Sequence, residues 1–419
     1  MILLGIGSLK MSRHLDLSWS DVEMLPDSVV QLTNLQTLDL YRGYRLIALP
    51  LDIGSLKDLR ELKLKYCESL KVLPREVGSL RRLRCLDLSN TKIEVLPESC
   101  IDNLSNLELI HFGNCKLPKE IKNLPKLRIF KHWRKNKEDE MPRGIETLTC
   151  LEVLESYLVK NCRETISCNS GTDSDGIIEL ANLNSLQELW IHNLDFVRGG
   201  TDAARAKLKD KVNIRYLCLI WGSIFEDDDD VQNMVLEGLE PNVNLKKLEV
   251  NYFPGLKFPK WMGSSTCLPT LVEIILWGCI RCEKLPALGL LPCLSVLEIW
   301  KMKSVKCLGD EFYYQQEEER IRSCNNILGG TTENATTMSL FPSLIHLKLS
   351  MENLEEWVAP PLPIYISFSS LEKLEINCFP KLRTTPNSFH FLKELELYDT
   401  NSKAVTPFFA TGGWPSDIR

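Results

Sequence analysis

Residues 35–43 read LQTLDLYRG, and the same outline returns as LRELKLKYC at 59–67, LRCLDLSNT at 83–91 and LELIHFGNC at 107–115. Each stretch is LxxLxL with Leu, Ile or Phe in the apolar places, and each begins 24 residues after the one before. In a strand the fourth and sixth residues point to one side, and the fifth and seventh to the other. One such segment cannot cover its own apolar side, whereas a stack of copies can.

A second ladder runs in phase with the first. Leu-Pro or Met-Pro pairs end at Pro26, Pro50, Pro74, Pro97, Pro118 and Pro142, and apolar pairs such as Ile53 with Leu56 and Val77 with Leu80 follow. The prolines are read as ending the strand segments, because Pro cannot donate to a ladder. The Ile/Leu pairs then turn back to close the core from behind. A 24-residue period lies in the range of leucine-rich repeats. The predicted fold is therefore an α/β leucine-rich-repeat solenoid, a curved horseshoe. It has one parallel strand per repeat on the concave face and short helices or 3-10 turns on the convex face.

The pattern resumes with looser spacing at Leu186, Ile214, Leu245, Leu271, Leu294, Leu344, Leu371 and Leu392. This divides the chain into regular repeats over 1–159, a polar insert over 160–184, irregular repeats over 185–312, a polar insert expected to be disordered over 313–340, C-terminal repeats over 341–400 and a tail over 401–419.

Composition narrows the function. Of 419 residues, 44% are hydrophobic and 25% charged, as in ordinary folded proteins, and the net charge of −6 gives no overall pull toward nucleic acid or anionic membrane. No apolar run approaches a membrane span. The 15 cysteines are scattered, and only Cys279 and Cys282 have CxxC spacing, which points to a reducing, cytoplasmic setting. Cys67, Cys115 and Cys279 take the ninth place of their repeats and are read as buried structural thiols.

Nothing in the chain reads as an enzyme. Its six histidines are scattered, with no nucleophile elbow or HExxH beside them. The run Asp227, Asp228, Asp229 and Asp230 lacks calcium-loop spacing: Gln232 stands where the loop needs Gly and Gly238 where it needs Glu. It precedes VQNMVLEGL, which places Val231, Met234, Val235 and Leu239 on one helical face. Asp230 is therefore expected to cap that helix. No metal, cofactor or catalytic residue is assigned.

The stretches VLEGLEPNVNLKKLEVNYFPGLKFPKWM (235–262), LPALGLLPCLSVLEIWKMKSVKCLGDEFY (285–313) and FPSLIHLKLSMENLEEW (341–357) carry more information than the bare repeat. They resemble the leucine-rich-repeat region of plant intracellular disease-resistance receptors of the coiled-coil class, which carry a nucleotide-binding NB-ARC module upstream. There is no GxxxxGK[ST] phosphate loop in the chain, so nucleotide would bind the NB-ARC module and not these repeats. The chain starts almost inside a repeat and ends without a clear cap, as expected of a repeat region apart from that module. The resemblance implies sensing of a pathogen effector or an effector-modified host protein, and autoinhibition through the NB-ARC module. A repeat adaptor, such as the substrate arm of a ubiquitin ligase, is the alternative.

Two candidate surfaces follow. Residues 116–137 hold nine Lys/Arg and one acid, Glu120. Lys119, Lys122, Lys126, Arg128 and Lys131 are the candidates for docking on the NB-ARC module. Nucleic acid, with Phe130 and Trp133 stacking on bases, is disfavoured by the acidic chain as a whole. The seventh or eighth place of successive repeats holds Trp19, Tyr41, Tyr66, Trp221, Tyr252, Trp277, Trp300 and Tyr398. Alternation turns the seventh place outward on the concave side, so these rings are the expected partner-binding stripe.

Overall fold

The computed structural model describes residues 5–132, 141–160, 176–222, 229–314, 338–359, 365–386, 389, 391–400 and 417–418. The chain divides into two compact units, Met1–Ile191 and His192–Arg419.

In the first unit the repeats become three-residue strands: His14–Asp16, Thr37–Asp39, Glu61–Lys63, Cys85–Asp87, Leu109–His111 and Ile129–Lys131, followed by the longer Val153–Leu158. Each pairs in parallel with the next, in a register that aligns Leu38, Leu62, Leu86, Ile110, Phe130 and Leu154. These fourth-place residues are fully buried, together with the sixth-place Leu40, Leu64, Leu88 and Phe112. Each fully buried side chain of this kind contributes about 1.5–3 kcal/mol before chain entropy is counted.

The returns are short 3-10 helices: Asp27–Gln31, Leu51–Ser55, Arg75–Ser79 and Lys119–Asn123. Pro26, Pro50, Pro74 and Pro118 sit at their N-caps. This corrects the sequence reading of the prolines. Strand Thr37–Asp39 is finished well before Pro50, so the proline does not end it. It opens the return, where a fixed φ and a missing N–H cost nothing because the first N–H groups of a helix have no partner in the helix. Successive returns pack almost backbone on backbone. A Cβ on Gly54 would lie 2.5 Å from the Glu76 carbonyl oxygen, and one on Gly78 would lie 2.7 Å from that of Cys100.

The second unit uses longer strands, among them Tyr216–Ile220, Lys247–Asn251, Glu273–Trp277, Val296–Trp300, His346–Ser350, Lys373–Phe379 and Glu394–Thr400. They too pair in parallel and in sequence order. Its returns are heavier. Helices Gly200–Ala204 and Asp229–Gly238 pack together, with Gly238 against the Gly200 carbonyl. Behind the sheet Phe341 stacks on Phe368, with ring centroids 5.0 Å apart and planes 7° from parallel.

The predicted inserts lie partly outside the described residues, at 161–175 and 315–337. Their ends have structure. Ile177–Leu180 forms a 3-10 return with Ile177 and Leu180 buried. Met338–Leu340 pairs in parallel with Tyr365–Ser367.

Candidate protein-recognition surface

Strand exit is built the same way in repeat after repeat. The eighth residue takes a left-handed backbone at Trp19, Arg42, Tyr66, Asn90, Tyr252, Lys301 and Gly278, with φ between 55° and 67°. A left-handed bulky residue is uncommon, and here the main chain fixes it. The amide of Trp19 donates to the Tyr41 carbonyl at 2.8 Å, that of Arg42 to Lys65 at 2.9 Å, that of Tyr66 to Ser89 at 2.9 Å and that of Lys301 to Ser350 at 2.8 Å. Asp16, Asp39 and Asp87, at the fifth place, bend forward to accept the seventh-residue amides of Ser18, Tyr41 and Ser89 at 2.8, 3.0 and 2.9 Å.

These exits set out the aromatic rings. In the first unit Trp19, Tyr41 and Tyr66 form an edge-to-face chain with centroid spacings of 6.1 and 5.8 Å. In the second, Trp277 and Trp300 are register partners on adjacent strands, with rings 5.3 Å apart. Trp19 is 60% exposed, Tyr252 50% and Tyr398 52%, while Tyr41, Tyr66, Trp277 and Trp300 are half-buried. The rings also carry cations. The Arg42 guanidinium lies 4.3 Å from the Trp19 ring centre. Lys301 Nζ lies 5.0 Å from the ring of Trp277, and Lys348 Nζ 4.7 Å from that of Trp300.

Trp221 is a correction to the predicted stripe. It holds the eighth place but is absent from the left-handed exits, and it is 2% exposed. Its ring packs on Phe253, and its Nε1 donates to Gln232 Oε1 at 2.9 Å. Gln232 belongs to helix Asp229–Gly238, whose buried residues are Gln232, Val235 and Leu236. Val235 and Leu239 are buried as predicted, while Met234 is exposed and Val231 half-buried, so the inward face is rotated part of the way from the predicted one, toward Gln232 and Leu236, because it must close over the indole. Asp230 lies inside the first turn and not at its cap. Asp227 and Asp228 lie outside the described residues, and among those described no group of His, Cys, Asp and Glu could hold a metal ion.

The predicted basic patch is not one surface. Lys119 and Lys122 sit exposed on the return Lys119–Asn123, while Lys131 ends strand Ile129–Lys131. Arg128 forks onto Glu152 at 2.8 and 2.9 Å, Lys131 pairs with Glu155, and Lys126 donates to Asn106 at 2.8 Å. Phe130 is fully buried against Phe112, which removes it as a base-stacking residue, and Trp133 lies outside the described residues.

The ninth-place thiols are interior, as expected. Cys67, Cys115 and Cys279 are fully buried, and Cys67 Sγ donates to the Leu40 carbonyl at 3.1 Å. Burial pushes the thiol pKa of Cys67 up to about 11 and those of Cys115 and Cys279 up to about 12.

On the open face of the second unit Glu375 is buried among His346, Lys348 and Lys373. Burial acts to raise its pKa, but the lysine hydrogen bonds outweigh it and hold the carboxyl below its ordinary value. Neither this knot nor Arg42 and Lys301 stood out in the sequence. For the two cations the available signal was a basic residue at the eighth place beside an aromatic one.

A sheet of short parallel strands with one face closed by 3-10 returns and the other left open defines a leucine-rich-repeat solenoid. The sequence profile of R13L1/DRL21 LRRs matches residues 177–302, and that of a leucine-rich repeat region matches residues 51–140. The fold is shared with the functional domain of InlJ from Listeria monocytogenes, at a TM-score of 0.51 and 13% identity, covering 98% of this chain and 73% of that one. The chain is a leucine-rich-repeat region of the plant disease-resistance kind. It is 33% identical over 156 residues to disease resistance protein RGA2 of Solanum bulbocastanum, covering 36% of this chain and 15% of that protein. It is 30% identical over 240 residues to disease resistance RPP13-like protein 1 of Arabidopsis thaliana, covering 55% and 21%. Another Arabidopsis thaliana disease-resistance relative is 31% identical over 361 residues, covering 74% of this chain and 24% of its own length. The chain thus spans about a quarter or less of these relatives. Among the described residues no helix is long and apolar enough to cross a membrane.

Proposed function

We propose that this chain is the recognition region of a plant innate-immune receptor. It binds a pathogen effector, or a host protein that an effector has altered, on the open face of its sheets. The observation that carries this reading is the row of aromatic rings at the strand exits, with Trp19, Tyr252 and Tyr398 exposed and Tyr41, Tyr66, Trp277 and Trp300 half-buried, on a chain similar to disease-resistance proteins. Rigid Trp and Tyr side chains are favoured binding anchors because they present large area at low entropic cost. The repeats bind no nucleotide themselves, work in the cytoplasm and restrain an NB-ARC module. Of the five basic docking candidates, Lys119 and Lys122 suit that restraint best, because they are exposed and free of ion pairs among the described residues.

The test is co-precipitation of the chain with a panel of secreted effectors, their host targets and an NB-ARC module. Capture of an effector or target that is lost when Tyr252 and Trp300 become Ala supports the reading. Binding to the NB-ARC module that survives Lys119→Glu with Lys122→Glu at low and high salt would rule out the docking role.

A further inference from the structure

Arg42 carries a charge that nothing on the described surface neutralises. Its guanidinium carbon lies 4.3 Å from the centre of the Trp19 ring, 5.4 Å from that of Tyr41 and 5.1 Å from that of Tyr66. Among the described residues it makes no salt bridge, and its Nε is buried without a hydrogen-bond acceptor. The backbone beneath it is fixed, with φ of 58° and its amide bonded to the Lys65 carbonyl at 2.9 Å.

Stacking uses the flat faces of a guanidinium and leaves its in-plane N–H donors free. Here those donors have no taker. The aspartates at the fifth place of the two paired strands beside it are committed elsewhere. Asp16 accepts from the Ser18 amide. Asp39 accepts from the Tyr41 amide and faces Lys63 Nζ at 3.4 Å. Lys65, whose Nζ lies 5.5 Å from the Tyr66 ring centre, also has no carboxylate partner among the described residues.

We infer that the Trp19–Tyr41–Tyr66 box with Arg42 is a receptor for a carboxylate side chain on an acidic, partly apolar segment of a partner protein. The rings hold the fork in place before binding, so a carboxylate meets a prepaid geometry and forms two charge-assisted bonds. The exposed faces of Trp19 and Tyr44, with centroids 6.4 Å apart, take the apolar neighbour. An extended polyphosphate suits the box less well, because it would also meet Asp16, Asp39 and Glu61 along the same strands. This inference rests on the open face being the recognition surface.

The test is fluorescence anisotropy with a labelled glutamate-rich peptide carrying one phenylalanine, its glutamine counterpart and a thymidine oligonucleotide. The glutamate peptide is expected to bind, to weaken as salt rises from about 50 mM to about 300 mM, and to lose about tenfold in affinity in Arg42→Gln. Arg42→Lys keeps the charge without the fork and is expected to fall between. Equal binding of the glutamate and glutamine peptides, preference for the oligonucleotide, or no binding would each overturn the inference. Should Arg42→Gln fold poorly, discrimination between the peptides by the native chain still decides. A partner captured through Tyr252 and Trp300 while the glutamate peptide fails would leave the recognition reading standing and remove only the role of Arg42.

Discussion

The indole N–H of Trp221 donates to Gln232 Oε1 at 2.9 Å, and both side chains are buried. The bond separates Trp221 from the other rings at its place in the repeat. Where the exit is left-handed the ring stays at the surface; here the ring turns inward and a helix closes over it. Removing the acceptor strands a buried donor, so Gln232→Ala is expected to cost about 1–3 kcal/mol. Trp221→Ala empties more of the core and should cost about 3–5 kcal/mol. Urea unfolding followed by fluorescence measures both. A loss within error for Gln232→Ala would mean that water replaces the glutamine.

Close packing of the returns predicts a sharp contrast between two glycines. A Cβ on Gly78 would press on the Cys100 carbonyl oxygen at 2.7 Å, whereas one on Gly5 meets nothing within 4 Å. Gly78→Ala should therefore destabilise by about 1–3 kcal/mol or more, and Gly5→Ala should be close to neutral. Thermal melts of the two variants side by side provide the check.

Thiol reactivity should sort by depth. Cys150 and Cys293 are exposed, while Cys67, Cys115 and Cys279 are buried with thiols pushed up to about 11 or 12. Only the thiolate reacts. Iodoacetamide at pH 8, read by peptide mass spectrometry, is expected to label the exposed pair first and the buried three only after denaturant is added. Early labelling of Cys279 would show that its repeat opens.

His111 gives the first unit a dependence on mild acid. Burial lowers its pKa despite the pull of Asp87. In the range between the lowered value and the ordinary one near 6.5, the unfolded chain therefore takes up a proton that the folded chain does not. Stability is full above about pH 6.5 and declines as the pH falls through the folded value. His111→Gln should flatten that decline in urea titrations between about pH 7 and pH 5. An unchanged slope would assign the decline to other groups.

Much of this was legible beforehand, and the reasons are specific. The 24-residue period and the alternation within LxxLxL fix strand, register and buried face together, since a slip of one residue would expose Leu38 and bury Asp39. The prolines were misread because their missing N–H suits both the end of a strand and the start of a return, and only the count of residues past Asp39 separates the two. Trp221 was misread because the eighth place has no alternation rule. Its direction depends on φ, and φ depends on what lies behind it. The basic patch dissolved because neighbours in sequence lie on opposite sides of one repeat, and because Glu152 and Glu155, which neutralise Arg128 and Lys131, come from the next repeat.

The central claim is that the open-face rings serve a partner and not only one another. Trp277 and Trp300 test it most directly. Their contact is worth about 0.5–1.5 kcal/mol as an aromatic pair. Adding the apolar area that two half-buried rings give up brings the cost to about 3 kcal/mol, so replacing both with Ala should lower the melting point by roughly 6–12 °C at about 2–4 °C per kcal/mol. Co-precipitation of the effector or host target captured by the native chain, run beside that melt, is expected to be lost while the fold persists. A melting point that falls steeply while the surviving protein still captures its partner would contradict the claim and make the rings a structural ladder.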